Sequence, residues 1–189
     1  MEMKDKITQQ SILLFQEKGF SQTSIQEIVN ALEVTKGTFY YYFSSKEQLL
    51  MDIHHDYITH LLARQERIIS KKNITQKEKI TEIIRLLITD IADKGPSARV
   101  YFREVRHLTD ENIETIKKKR EQFRLNVEEV VLEGINQEEL RKGLRADMIS
   151  FGILSVTNWS YNWYKPDGEV SPEELVNIYA DMILTGIEM

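Results

Sequence analysis

Apolar residues recur along most of this chain at the spacing of one face of an α-helix. Near the start, Ile7, Leu14 and Phe15 share such a face, and Gly19 then supplies a stop. The chain has three prolines and eight glycines in 189 residues, which favours long uninterrupted helices over the frequent turns of a β protein. The pattern therefore predicts an all-α fold.

Breaks in the pattern divide the chain into about nine predicted helices, with a long connecting helix after the first three. The predicted helices run over 4–18, 24–32, 36–43, 45–72, 75–94, 97–107, 110–135, 146–164 and 172–187. The break before the sixth helix is placed at Gly95-Pro96. We expect two domains, 1–48 and 49–189, with the connecting helix between them.

The second and third predicted helices are short and are joined by a tight turn at Glu33-Val34. Thr23 is the expected N-cap of the second helix, with Gln26 three residues on in capping-box position, and Thr35 is the expected N-cap of the third. Two such helices form a helix-turn-helix, a motif that places its second helix in the major groove of DNA.

The third helix carries small and planar polar groups on one side. Lysine ammonium and tyrosine hydroxyl groups, as on Lys36 and Tyr40, suit phosphate contacts, and threonine methyls suit thymine methyls. Gly37 lets the backbone come close to a duplex. Phe39 and Phe43 lie four residues apart and are expected in the core, whereas the polar residues are expected to face DNA and not merely solvent.

Net charge gives no support for DNA binding. The chain carries a formal charge of −5 and has a pI of about 5.5, and residues 1–50 hold five lysines and no arginine against six acidic residues. The prediction of DNA binding therefore depends on the motif alone. A helical interaction protein that uses the helix-turn-helix only as a scaffold is the alternative.

Three separated runs, 23–29, 34–43 and 45–50, resemble in order and spacing the DNA-binding signature of the TetR family. The resemblance implies a homodimer whose recognition helices enter successive major grooves of a palindromic operator in double-stranded DNA. It implies DNA contacts by Thr23, Thr35, Lys36, Gly37, Thr38, Tyr40, Tyr41 and Lys46, of which Thr23, Tyr41 and Lys46 are expected at phosphates. One departure is Glu33, where the family usually has glycine. It must adopt the turn conformation, and its charge near DNA predicts modest or strongly salt-dependent affinity.

The last two predicted helices are rich in apolar residues. The segment 148–159 is apolar around nearly the whole helix, and the helix at 172–187 carries one apolar face. Together they are predicted to form a four-helix interface between two copies of the chain. The alternative is a monomer in which the helix at 146–164 is entirely internal.

Two features predict the kind of effector. Trp159, Trp163 and the run 164–168, Tyr-Lys-Pro-Asp-Gly, resemble TetR-family regulators of lipid or steroid breakdown that respond to acyl-CoA thioesters. In addition, three arginines of the helix at 97–107 recur at one helical face, and the planar guanidinium suits phosphate. The predicted effector-binding residues are Arg99, Phe102, Arg103, Arg106, Phe123, Trp159 and Trp163. The alternatives are tryptophans in the core and arginines paired with acidic side chains.

No catalytic or metal-binding pattern accompanies these features, so no enzyme activity, cofactor or metal is predicted. Adjacent His54 and His55 diverge on a helix and cannot chelate together with His60. The chain has no cysteine and no apolar segment of membrane-spanning length, which favours a soluble cytoplasmic protein. The predicted function is a repressor released from its operator by a small apolar ligand. A TetR-type regulator of efflux that responds to lipophilic drugs is the alternative.

Overall fold

The computed structural model describes residues 2–188, which form nine α-helices and no strand. They are α1 (Met3–Lys18), α2 (Ile25–Ala31), α3 (Lys36–Tyr42), α4 (Lys46–Ile69), α5 (Gln76–Asp93), α6 (Gly95–Arg103), α7 (Asp110–Asn136), α8 (Ala146–Trp163) and α9 (Pro172–Ile187). A 3₁₀ turn (Val105–His107) lies between α6 and α7. The all-α class, the helix-turn-helix near the N-terminus and the number of helices are confirmed.

Local capping explains most helix starts, and it corrects one prediction. The N-cap of α2 is Ser24, which forms a reciprocal capping box with Glu27, and not Thr23 paired with Gln26. Thr35 caps α3 as predicted, because its Oγ1 accepts a hydrogen bond from the Thr38 N–H at 3.2 Å.

The predicted break at Gly95-Pro96 is wrong. Both residues lie in the first turn of α6, where the missing N–H of proline costs no intrahelical hydrogen bond. The predicted end of this helix at residue 107 is also wrong, because α6 ends at Arg103 and Arg106 lies in the 3₁₀ turn. The three predicted arginines therefore do not share one helix.

The chain forms two compact units. The first comprises the residues up to Ile58 together with Gly95–Lys117. Within it α1 contacts α2 and α6, and α2 contacts α3. Its core is aliphatic and aromatic, and includes Ile7, Phe15, Ile28, Val29, Phe39, Phe43, Leu49, Leu50 and Tyr101.

The second unit comprises Thr59–Lys94 together with the residues from Lys118 on. In it α5 packs against α8 and α9. The buried face of α8 is narrow and carries Ile153, Thr157 and Ser160. The alternative of an entirely internal helix at this position is wrong for the single chain, because Phe151 is 48% exposed and Trp159 is 60% exposed.

The boundaries of the compact units differ from the predicted domain boundary after residue 48, since the first unit continues to Ile58. The predicted functional boundary stays a prediction. Within residues 2–188, no helix is both long enough and apolar enough to cross a membrane.

Candidate DNA-reading site and effector residues

The outer side of α3 is exposed and polar. Tyr41 is 81% exposed and Tyr40 is 54% exposed, and Lys36 is exposed at the first residue of the helix. Thr35 and Thr38 lie beside them, with their hydroxyl oxygens 3.2 Å apart. We call these five residues the α3 face. It brings together five of the eight predicted DNA contacts on one short helix and its N-cap.

The inner side of α3 holds the helix in place. Phe39 is fully buried and Phe43 is 2% exposed, and their ring centroids lie 5.6 Å apart. This confirms the prediction that the pair belongs to the core. Because Phe39 is packed on all sides, the polar residues before and after it have a fixed direction.

Gly37 lies next to the N-terminal end of α3. A Cβ added there would meet only the Thr35 Oγ1, at 3.4 Å, among the described residues. The fold therefore does not need glycine at this position. Close approach of a ligand to the backbone remains the predicted reason for it.

The turn before α3 has the conformation that glycine usually supplies. Glu33 has a φ of 54°, in the left-handed region, and its N–H donates to the Asn30 carbonyl oxygen at 3.1 Å. The Val34 N–H donates to the Val29 carbonyl oxygen at 3.0 Å. These two bonds are those of a Schellman C-cap, with Glu33 at its left-handed position. The prediction that Glu33 tolerates the turn conformation is confirmed.

A second acidic residue stabilises the start of α2. Glu27 accepts hydrogen bonds from the Ser24 N–H at 2.8 Å and from the Lys18 ammonium at 3.0 Å. These bonds favour the ionised carboxylate and lower the pKa of Glu27 to about 2.

Two predicted phosphate contacts have internal partners instead. Thr23 is 1% exposed, and its hydroxyl donates to the Gly19 carbonyl oxygen at 2.9 Å. The Lys46 ammonium donates to the carbonyl oxygens of Phe20 and Thr23, both at 2.6 Å, and lies 4.2 Å from the centroid of the Phe20 ring. Burial lowers the pKa of Lys46. Both side chains hold the loop between α1 and α2, and neither belongs to the α3 face.

Four predicted effector residues lie in the first unit. Arg99, Arg103 and Arg106 line a cavity of about 450 Å³ beside the C-terminal end of α1, and Phe102 is half-buried on α6. Within residues 2–188, no carboxylate lies within salt-bridge distance of Arg99 or Arg106. The salt-bridge alternative therefore does not hold for these two arginines.

The other three predicted effector residues lie in the second unit. Phe123 is buried, and its carbonyl oxygen accepts a hydrogen bond from the Gln65 side chain at 2.9 Å. Trp159 is 60% exposed and Trp163 is 47% exposed. The alternative that places both tryptophans in the core is therefore wrong for the single chain.

Exposed apolar side chains are concentrated on α8 and α9. They include Met148, Phe151, Trp159, Trp163, Ile178 and Met182, all of which are close to half exposed or more. We call these six residues the α8–α9 face. Large exposed apolar side chains concentrated on two helices are the kind of feature that is found at interaction sites.

Family models match almost the whole chain. Residues 7–53 match the bacterial regulatory proteins of the tetR family, and residues 73–187 match a tetracyclin repressor-like C-terminal domain. The chain belongs to the TetR family. It is thus a helix-turn-helix DNA-binding regulator of transcription, as predicted.

Relatives of this TetR-family regulator cover nearly its full length. It is 26% identical over 188 residues to the HTH-type transcriptional repressor KstR2 of Mycolicibacterium smegmatis. The aligned region covers 97% of this chain and 90% of that protein. The solved structure of the ketosteroid transcriptional regulator KstR2 of Mycobacterium tuberculosis has a TM-score of 0.91 at 21% identity, over 100% of this chain and 96% of that one. The solved structure of AibR with isovaleryl coenzyme A and operator DNA has a TM-score of 0.83 at 25% identity, over 96% and 97% of the two chains.

Two residues beside the cavity were not among the predicted site residues. Glu104 is buried on the C-terminal side of α6, accepts a hydrogen bond from the Phe20 N–H at 3.4 Å and lies 3.3 Å from the His107 ring nitrogen. His107 also stacks on the Phe20 ring, with 5.4 Å between centroids. No local pattern marks this cluster, because its members are brought together only by the packing of α6 on α1.

Proposed function

We propose that this TetR-family regulator is a homodimeric repressor that reads a palindromic operator with two copies of α3 and is released by an acyl-CoA thioester. The α3 face carries the proposal. It presents a lysine, two threonines and two tyrosines outward from a helix whose inner side is fixed by Phe39. Such groups supply both phosphate contacts and base contacts in a major groove.

The homodimer is supported by the α8–α9 face. Its aromatic and methionine side chains are of the kinds enriched where two proteins meet, and in the single chain they are in contact with water. A second copy of the same face would cover them by two-fold symmetry. A dimer also gives two copies of α3 a fixed spacing, which a palindromic operator requires.

The acyl-CoA effector is supported by chemistry and by one neighbour. The arginines that line the cavity beside α1 carry planar guanidinium groups, which suit the phosphate groups of coenzyme A. AibR, similar over nearly the whole chain, was solved with isovaleryl coenzyme A and operator DNA. For release to occur, the thioester must bind more tightly to the conformer whose two α3 helices do not fit the operator.

The test is a DNA-binding measurement on the full-length protein with the duplex upstream of its coding sequence. We expect a specific complex at low salt that is dissociated by acyl-CoA thioesters of increasing chain length, each recovered chemically intact. Free fatty acids and a lipophilic cationic dye are the matched controls. No complex at low salt would contradict the repressor, and release by the dye alone would favour the efflux alternative.

A further inference from the structure

A groove in the first unit combines concave shape with an excess of positive charge. Its volume is about 450 Å³, within the usual range for small-molecule sites. One wall is the C-terminal end of α1 and the other is α6 with the 3₁₀ turn after it. The lining residues that bear on the argument are Lys18, Arg99, Arg103, Arg106, Glu17 and Glu104.

Some charged side chains of the groove have partners of opposite charge or hydrogen-bond partners, and others have no carboxylate nearby. Lys18 pairs with Glu27 at 3.0 Å, and Glu104 accepts from the Phe20 N–H and lies beside His107. Arg99 and Arg106 have no carboxylate within salt-bridge distance among residues 2–188. Arg99 and Arg106 both line the cavity, so an anion there would supply the counter-charge that no carboxylate within salt-bridge distance of these two residues supplies.

From these observations we propose that the groove between α1 and α6 binds the phosphate groups of a nucleotide-type ligand. Arginine binds phosphate oxygens in pairs through its planar fork, which a single lysine cannot do. The source is either the adenosine diphosphate portion of a coenzyme A thioester, in which case the inference rests on the proposed effector, or a free nucleotide.

Occupation of this groove would act on the DNA-reading helices through the loop between α1 and α2. Glu104, on the α6 wall, binds the N–H of Phe20. The carbonyl oxygens of Phe20 and Thr23 accept from Lys46, and Ser24 directly after them caps α2. A phosphate drawn between the arginines and the end of α1 therefore binds with an affinity that depends on the position of this loop. By linkage, the ligand and the operator then change each other's affinity by the same factor.

The test uses the full-length protein and adenosine 3′,5′-bisphosphate, which carries the 3′-phosphate and the inner 5′-phosphate of coenzyme A and lacks its outer phosphate and thioester arm. Isothermal titration is expected to give one site per chain, with an affinity that falls as salt rises. Arg99→Ala is expected to weaken binding about tenfold or more, as loss of a charge-assisted hydrogen bond does. Arg99→Lys keeps the positive charge but loses the planar guanidinium. Its affinity for the bisphosphate is expected to lie between those of the unaltered protein and Arg99→Ala.

Arg67→Ala is the matched control, because Arg67 is an exposed arginine outside the groove. It is expected to bind the bisphosphate as the unaltered protein does. Equal affinity in Arg99→Ala and the unaltered protein, with unchanged thermal melting, would overturn the groove. So would a loss of operator binding by Arg99→Ala without any nucleotide, since the arginine would then serve DNA.

The two proposals fail separately. In one outcome acyl-CoA releases the operator, but the bisphosphate does not bind at about 1 mM and Arg99→Ala leaves release unchanged. The phosphate-binding role of the groove is then wrong, whereas the proposed acyl-CoA effector is supported. If the bisphosphate binds through Arg99 while acyl-CoA leaves the operator complex intact, the groove stands with a free nucleotide as its ligand. The acyl-CoA effector is then wrong.

Discussion

The α3 face and the α8–α9 face both leave large side chains close to half exposed or more, but they differ in what those side chains offer to water. The tyrosines of α3 end in hydroxyl groups, and its lysine ends in an ammonium group. The α8–α9 face ends in aromatic rings, thioethers and an isoleucine. The first is stable in water without a partner, and in the proposed operator complex its groups would exchange hydrogen bonds with water for hydrogen bonds with DNA. The second gains by burial, so we expect it to be covered permanently.

The largest expected effect comes from a charge in the middle of α8. A Cβ at Gly152 would have no neighbour within 4 Å among the described residues, so Gly152→Glu leaves the single chain undisturbed. In a dimer the same carboxylate would be buried without a partner, at a cost of roughly 3–5 kcal/mol. We expect monomers in sedimentation and a loss of operator affinity of more than about a hundredfold.

Lys72→Glu is the control for this variant, since it reverses a charge at an exposed position away from α8 and α9. A Gly152→Glu protein that remains dimeric would show that α8 is not the dimer helix. The difference between the two faces would then need another explanation.

Loss of Lys36 is the next largest effect. Lys36→Ala removes one phosphate contact from each copy of α3, and we expect operator affinity to fall about tenfold, with the logarithmic salt slope reduced by about one per copy. Lys142→Ala is the control, because Lys142 is exposed, lies outside the DNA-binding unit and pairs with Glu138. Titrations at several salt concentrations measure both quantities. An unchanged slope would remove Lys36 from the DNA-reading set.

Glu33 gives a smaller effect of the opposite sign. Glu33→Gly removes the strain of a non-glycine residue in the left-handed conformation, which costs about 1–2 kcal/mol. Glycine also has more conformational freedom in the unfolded chain, and this opposes folding by about 0.5–1 kcal/mol. We expect a net gain in unfolding free energy of about 0.5–1 kcal/mol and a few-fold tighter complex at low salt. Glu33→Gln removes the charge but keeps the strain, so it should share only the gain in DNA affinity. Equal stability of the two variants in urea titrations would argue against strain at this turn.

The smallest effect concerns pH and the support of α2. The folded pKa of Glu27 is about 2, below the usual value of 4.5, so its contribution to stability is complete above about pH 4.5 and is lost as pH falls towards 2. Glu27→Gln should flatten the stability curve over that range and leave α8 unaffected. Parallel curves for the two proteins in acid denaturation would contradict this role.

Much of the fold was predictable because its signals are local. Helix boundaries followed apolar spacing and caps, and the turn at Glu33 followed from its place in the motif. Errors arose where the local sequence fits two different helix boundaries equally well. Ser24 and Thr23 are both good caps, and Gly95-Pro96 fits a break as well as a first turn.

The candidate sites were predictable only in part. Residue types on α3 indicated which side is exposed, because Phe39 and Phe43 mark the buried side. Lys46 stays a predicted phosphate contact. Its bonds to the α1–α2 loop were not predicted, since a lysine near a helix start usually points to solvent and the position of that loop is set by packing. The arginines lining the groove were found by their spacing along the sequence, whereas the groove itself depends on the packing of α6 on α1.

The bond between Glu104 and the Phe20 N–H joins positions 84 residues apart, which sets an order of events during synthesis. On a ribosome that adds roughly 5–20 residues per second, α1 to α3 emerge several seconds before α6 is available to hold their first loop. The part of the protein that reads DNA is thus made first and completed late. A nascent or truncated chain that ends before α6 has all the groups of the α3 face, but the Phe20 loop beneath α2 lacks its Glu104 partner.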